Sequence, residues 1–358
     1  MKVLLITKTI ESKGGAGRYS NEIYKALLGC DISVAVLSES NKLLSLSRFK
    51  MIKFLMNVFI ARREVANFDI IHALDVWPYG VYGYFAALGS TKRLFINGVG
   101  TYSVLSDSGV IKKFLMRHAC LYANRIFCIS EYTKKRILEK INLNNLSVVF
   151  YGAFILQFLD NSKINYYKKK YDIKKYYPIF LTVGDIKNRK GQLDTLRALN
   201  LLKDKYKNFL YIMIGTDEDI FYINKIKNFI TENNLNNNIK IISNMYNDEE
   251  LAFFYQICDI FLLNSNNDKE HFEGFGGVFL EAAQFGKPAI GSKNCGIESA
   301  IRDGVSGYLT TQADHKNIKD KILLSIKNKE MLSRGATNFY RDFSWKKTVD
   351  QYLGFYSA

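Results

Sequence analysis

From end to end, this chain alternates short apolar runs with longer stretches of helical period, and it does so in two successive blocks. Residues 3–7, 32–37, 70–74, 94–97, 125–129 and 148–150 are apolar enough to read as buried strands, and segments such as 18–28 and 133–141 carry the helical period between them. The pattern restarts after a Lys- and Tyr-rich stretch, 161–177, with residues 179–183, 209–214, 239–242, 260–263 and 288–291 as the second set of strands. Strand–helix alternation of this kind implies parallel sheets covered by helices on both faces. Two blocks therefore predict an α/β protein of two Rossmann-like, doubly wound domains, one over residues 1–160 and one over 161–339. The length of 358 residues fits that division, at roughly 150 residues per domain.

Open parallel sheets bind ligands beyond the carboxyl ends of their strands. The loops that follow the strands are thus the places to look for chemistry, and two such domains are expected to face a shared cleft. Three loops stand out.

The first is His271-Phe272-Glu273-Gly274-Phe275-Gly276-Gly277-Val278-Phe279-Leu280-Glu281. Its glycines feed an apolar helix, so the amides of Gly276, Gly277 and Val278 are placed to meet a phosphate, with the helix dipole adding to the attraction. Glu281 reads as lying more than a turn inside that helix, where it would accept hydrogen bonds from the vicinal hydroxyls of a ribose. Glu273 reads as the carboxylate on the sugar side, able to stabilise positive charge developing on a transferred sugar. The second loop, Val183-Gly184-Asp185-Ile186-Lys187-Asn188-Arg189-Lys190-Gly191, offers Arg189 and Lys190 to neutralise a leaving diphosphate. The third, Lys13-Gly14-Gly15-Ala16-Gly17-Arg18, is glycine-rich but has Ser20 where a dinucleotide fingerprint needs its last glycine.

Glu273 and Glu281 form an E-x7-E element that resembles the retaining glycosyltransferases of family 4, which have the GT-B fold. Gly14-Gly15 is similar to the family's first-strand glycine loop, and Gly184 through Gly191 to its diphosphate loop. Gly286-Lys287-Pro288, Gly296-Ile297-Glu298 and Asp303-Gly304-Val305-Ser306-Gly307 follow in the family's order, and Phe343-Ser344-Trp345 resembles the start of its terminal helix. The resemblance implies that a C-terminal helix at about residues 340–358 completes the first domain. It implies Glu273, Lys190 and Arg189 as catalytic residues. Gly15, Gly184, Phe275, Gly276, Gly277, Val278 and Glu281 would be donor-binding. It further implies a UDP- or GDP-sugar as substrate, no cofactor, no essential metal, and retention at the anomeric carbon. Two departures stand beside it: Asp185 occupies a position where many relatives carry Arg, and Val99 precedes Gly100-Thr101-Tyr102 where many carry His. His72, at a strand end, would line the cleft or pack. The alternatives are an epimerase- or phosphorylase-like protein, or a binding protein without catalysis.

Composition bounds the setting. Five scattered cysteines with no C-x-x-C pair read as reduced thiols, and no run approaches the ~18 apolar residues of a spanning helix. The amino-terminal run is too short for a signal peptide, so a cytoplasmic location is expected. The net charge of +16 favours an anionic partner. No nucleic-acid module is recognisable. Residues 42–63 interleave six Lys and Arg residues with large apolar ones, a pattern that suits the plane of an anionic membrane surface or a helix packed on the first sheet. The expected acceptor is a saccharide, lipid-linked, met at the inner face of the plasma membrane during polysaccharide, lipopolysaccharide or capsule assembly.

Overall fold

The computed structural model describes residues 1–358 apart from 12–13, 47–49, 105–108, 174, 246 and 270. The chain divides into two compact units: Met1–Gly152 with Phe343–Ala358, and Ala153–Asp342.

The first unit is built on β1 (Lys2–Thr7), β2 (Ser33–Ser38), β3 (Ile70–Ala73), β4 (Arg93–Gly98), β5 (Arg125–Cys128) and β6 (Leu146–Val148). They form one parallel sheet in the order β2-β1-β3-β4-β5-β6. The second unit holds β7 (Ile179–Val183), β8 (Leu210–Gly215), β9 (Ile239–Ser243), β10 (Ile260–Leu263), β11 (Ala289–Ser292) and β12 (Gly307–Thr310), parallel in the order β12-β11-β10-β7-β8-β9. The central strands are largely apolar because helices cover both of their faces: all four residues of β10 are buried, as are Val3 to Ile6 of β1. In the second unit Phe180, Leu196, Leu199, Tyr211, Met213, Ile226, Ile260 and Leu262 belong to one core cluster.

The strand orders matter for function. In the first sheet the winding reverses between β1 and β3, and in the second between β7 and β10. At such a point the loops leaving two adjacent strands diverge to opposite faces, and the space between them is where open α/β sheets take ligands.

The first four helices are α1 (Gly14–Leu28), α2 (Lys50–Glu64), α3 (Val81–Ala87) and α4 (Val110–Tyr122). The C-terminal helix Trp345–Ser357 starts at Ser344, whose hydroxyl accepts from the Lys347 amide at 3.2 Å. A polar network fastens it to the first sheet. Buried His72 on β3 bonds the Tyr356 hydroxyl through Nδ1 and Asn97 Oδ1 through Nε2 (2.7 Å), and Asn97 Nδ2 donates to Tyr19 and Tyr352. His72 is thus a packing residue.

The Lys- and Tyr-rich stretch contributes a helix, Asn161–Lys170, that packs within the second unit. Lys163 and Tyr167 bond Glu249, and Lys170 bonds Glu250.

Candidate functional site

The loops after β7 and β10 meet at the switch point of the second sheet. Gly191 closes the first of them with φ of 68°, and a Cβ there would lie 1.9 Å from the Asn264 carbonyl oxygen. Only glycine lets the two loops approach so closely. The Asn266 amide donates to the Arg189 carbonyl at 2.7 Å, and buried Asn264 is held by Thr195 and Thr310. The loops therefore form one rigid shelf, and Arg189 and Lys190 stand on it.

Their charges converge on one oxygen. Lys190 Nζ lies 2.6 Å and Arg189 3.3 Å from Glu273 Oε2, with side chains 13%, 21% and 14% exposed for Lys190, Arg189 and Glu273. Burial pushes the Glu273 carboxyl up, but the charges of Lys190 and Arg189 and their hydrogen bonds outweigh it and hold the group below its ordinary range. Two cations against one carboxylate leave the cluster one positive charge in excess, in a partly desolvated place where that charge acts strongly. Gly184, with φ of 143°, leaves room beneath Lys190: a Cβ there would come 3.7 Å from Nζ. Asp185 turns to Lys187 (2.6 Å) and Thr216 (3.0 Å) instead of joining the cluster.

The β10 loop runs into the helix Val278–Gln284, with Gly277 as its cap residue. Gly276 takes φ of 85°, and a Cβ there would press the Phe279 ring at 2.8 Å. The Phe275 side chain is buried. The Gly296 amide donates to the Glu273 carbonyl at 2.7 Å, and Gly296 has no room for a side chain against Gly274. The Gly296-Ile297-Glu298 motif thereby fixes the backbone that carries Glu273. Glu281 departs from the sequence expectation of lying more than a turn inside the helix. It belongs to the first turn, its amide donating to the Gly277 carbonyl at 3.2 Å, because the helix begins only at Val278. Its carboxylate is buried and accepts from the Tyr255 hydroxyl at 2.8 Å.

In the first unit, Gly15 is exposed within the first turn of α1, and a Cβ there would meet nothing within 4 Å; Lys13 of the same loop lies outside the described residues. The residue that sequence reasoning missed is Asp75. It follows β3 at the first sheet's switch point, and its Oδ1 accepts from the Ser103 hydroxyl and the Val76 amide, both at 2.7 Å. Burial raises its carboxyl to about 7 against the lowering effects of Ser103, Val76 and Lys112. Ser103 in turn accepts from the Val99 amide at 2.8 Å, so the turn at Gly100-Thr101-Tyr102 is tied to this carboxyl. Only the fold brings these positions together, since 28 residues separate Asp75 from Ser103.

Among the described residues, no group of three or more His, Cys, Asp or Glu side chains is placed to hold a metal ion, and no helix is long and apolar enough to cross a membrane.

Residues 163–342, half of the chain and nearly all of the second unit, match the family model for glycosyl transferases group 1. The chain belongs to that family. An uncharacterised glycosyltransferase of Methanocaldococcus jannaschii is 27% identical over 310 residues, covering 85% of this chain and 80% of the relative. A glycosyltransferase structure from Rickettsia africae superposes with a TM-score of 0.83 at 20% identity, over 99% of this chain and 97% of that one. An Anabaena protein in complex with UDP-glucose does so with 0.79 at 18% identity, over 100% and 99%. At those identities the likeness is one of fold, and the two parallel six-stranded sheets with alternating helices are those of GT-B glycosyltransferases.

In this group 1 glycosyltransferase, Lys190 and Arg189 both contact Glu273, with Gly184 beneath Lys190. Gly276, Gly277, Val278 and Glu281 continue the same loop and helix. Gly15 belongs to the other unit.

Proposed function

We propose that this glycosyltransferase moves a sugar, with retention at the anomeric carbon, from a UDP- or GDP-sugar to a saccharide acceptor carried on a lipid. The observation that carries the donor side is the half-buried cluster of Lys190, Arg189 and Glu273 with its single excess positive charge. A diphosphate brings the opposite charge: Lys190 and Arg189 turn to its oxygens, and Glu273 is left to accept hydroxyl hydrogen bonds from the sugar. As the anomeric C–O bond breaks, positive charge grows on the sugar beside Glu273 and negative charge on the phosphate beside the two cations. The acceptor hydroxyl bonds to the anomeric carbon on the face the phosphate leaves, and its proton passes to the leaving phosphate oxygen. The amides of Gly276–Val278 add donors to the diphosphate, and Glu281 accepts the ribose hydroxyls. Because side-chain cations carry the leaving-group charge, the reading is metal-independent. The Anabaena neighbour's complex with UDP-glucose supports the donor class.

The acceptor side of the reading is a lipid-linked saccharide at the cytoplasmic membrane face, in cell-envelope polysaccharide, lipopolysaccharide or capsule assembly. Turnover of UDP- and GDP-sugars with and without lipid-linked acceptors tests the whole. Nucleoside diphosphate released together with a glycosylated product of unchanged anomeric configuration is expected. Equal release of free sugar without acceptor would favour the epimerase-like alternative.

A further inference from the structure

Helix α2 is turned the wrong way round for a helix that packs only against its own domain. Its inward side carries Phe54, Asn57 and Ala61. The polar Asn57 is 1% exposed, exchanges hydrogen bonds with both backbone groups of Leu44 (2.8 and 2.9 Å), and donates to the Tyr82 hydroxyl at 3.0 Å. This clamp and the stacking of Phe54 on Trp77 (centroids 5.7 Å apart) set the rotation of the helix. The outward side then presents Met51, Ile52, Leu55, Met56 and Phe59, between 49% and 70% exposed. Periods of 3.6 place these five on one arc, with Arg62 and Arg63 at its end. Scattered single apolar residues on a surface need no account, but a contiguous stripe of five does.

A second helix extends it. On α4, Val110, Ile111 and Phe114 are 58% to 84% exposed. Both helices pack against α3, and Trp77 joins them: it stacks on Phe54 of α2, and Lys112 Nζ of α4 lies 5.0 Å from its ring centre. The charge on the two helices themselves has one sign, and Asp75, beside Trp77, offsets only Lys112 among them. Residues 50–63 and 110–122 contain Lys50, Lys53, Arg62, Arg63, Lys112, Lys113 and Arg117 and no Asp or Glu. Glu64, which ends α2, is paired with Lys42 at 2.6 Å. Arg48 and Phe49 of the same stretch lie outside the described residues.

We propose that the outward faces of α2 and α4, with Trp77 between them, dock this protein in the headgroup layer of a bilayer containing anionic lipid. Large apolar side chains enter the acyl boundary while Lys and Arg of the same faces meet headgroup phosphates, the division of labour of a helix lying in the membrane plane. A second copy of the chain is the wrong occupant, because two faces that each carry a strong excess of cations repel each other on contact. The docking deepens the lipid-borne-acceptor reading and rests on it for its purpose, while the donor chemistry of the second unit does not depend on it.

Co-sedimentation of the full chain with vesicles of phosphatidylcholine, with and without phosphatidylglycerol, tests the proposal. Binding to the anionic vesicles at low salt, weakened by salt and absent with phosphatidylcholine alone, is expected. The double substitution Leu55→Ser, Phe59→Ser removes two exposed side chains without touching the core, and should cut vesicle binding by about tenfold or more. Titration of both proteins with UDP and GDP, expected to be equal, separates a lost surface from a lost fold or a failed donor site. Wild-type protein left in the supernatant with anionic vesicles, a double variant that binds them as well as wild type, or a lipid-free dimer abolished by the same substitutions would each overturn it.

Discussion

Lys190 Nζ and Glu273 Oε2 lie 2.6 Å apart, although 83 residues separate them and they come from the loops after β7 and β10. The contact exists because the second sheet reverses its winding between those strands. It makes Glu273 a carboxylate held ionised by a cation that the substrate would compete for.

Lys190→Ala should damage turnover more than Arg189→Ala. Lys190 is the closer and less exposed partner of Glu273 (2.6 against 3.3 Å, 13% against 21%), so its charge is the less screened. Steady-state rates of the two variants check this, and the reverse order would mean that Arg189 holds the phosphate.

Glu273→Gln should lower kcat by roughly a hundredfold or more with a smaller loss of donor affinity, because its charge acts mainly on the transition state. Equal losses in kcat and affinity would make Glu273 a binding residue only.

Glu281→Ala should weaken nucleoside diphosphate binding by about 1.5–3 kcal/mol through loss of charge-assisted hydrogen bonds. The same change strips the Tyr255 hydroxyl of a buried partner, so the melting temperature should fall as well. Calorimetry and thermal unfolding on one preparation separate the two effects. Unchanged affinity in the folded variant removes the ribose role.

Much of this was legible in the sequence, and the exceptions have physical causes. The strands at 179–183 and 260–263 coincide with the structure, since strands buried on both faces leave largely apolar runs. The others shift by one or two residues. The last strand, β12 at Gly307–Thr310, was hidden because its short run follows a motif of turn residues and carries Gly and Thr. The apolar content of α2 was visible, but its orientation was not: Asn57 finds its partners at Leu44 and Tyr82, and those contacts override the periodicity. Glu273 and Lys190 were legible as separate loop residues. Asp75 and Ser103 were not, because an isolated Asp after a strand carries no signal until β3 and β4 are set side by side.

Buried His72 gives the first unit a pH dependence. Burial lowers its pKa from 6.5 to about 4, against a raising effect of Asn97. Above the ordinary value the ring is neutral whether the chain is folded or not, and its contribution is constant. As pH falls from 6.5 toward 4, the unfolded chain takes up a proton that the folded one refuses, so stability drops. At about pH 5 the loss amounts to roughly 2 kcal/mol, at about 1.4 kcal/mol per unit. Urea unfolding at neutral and mildly acidic pH should show wild type losing that much more than His72→Gln. An equal loss in both would mean that His72 is protonated in the folded state.

The Lys190–Arg189–Glu273 cluster is proposed as the seat of a nucleotide sugar's diphosphate. Calorimetric titration of wild type and Lys190→Ala with UDP and with GDP puts this to the test. One of the two nucleotides should bind wild type at a single site, and Lys190→Ala should bind it about tenfold or more weakly, the loss of a charge-assisted contact to phosphate. Equal affinity in a folded Lys190→Ala protein, or no binding of either nucleotide to wild type, would contradict it.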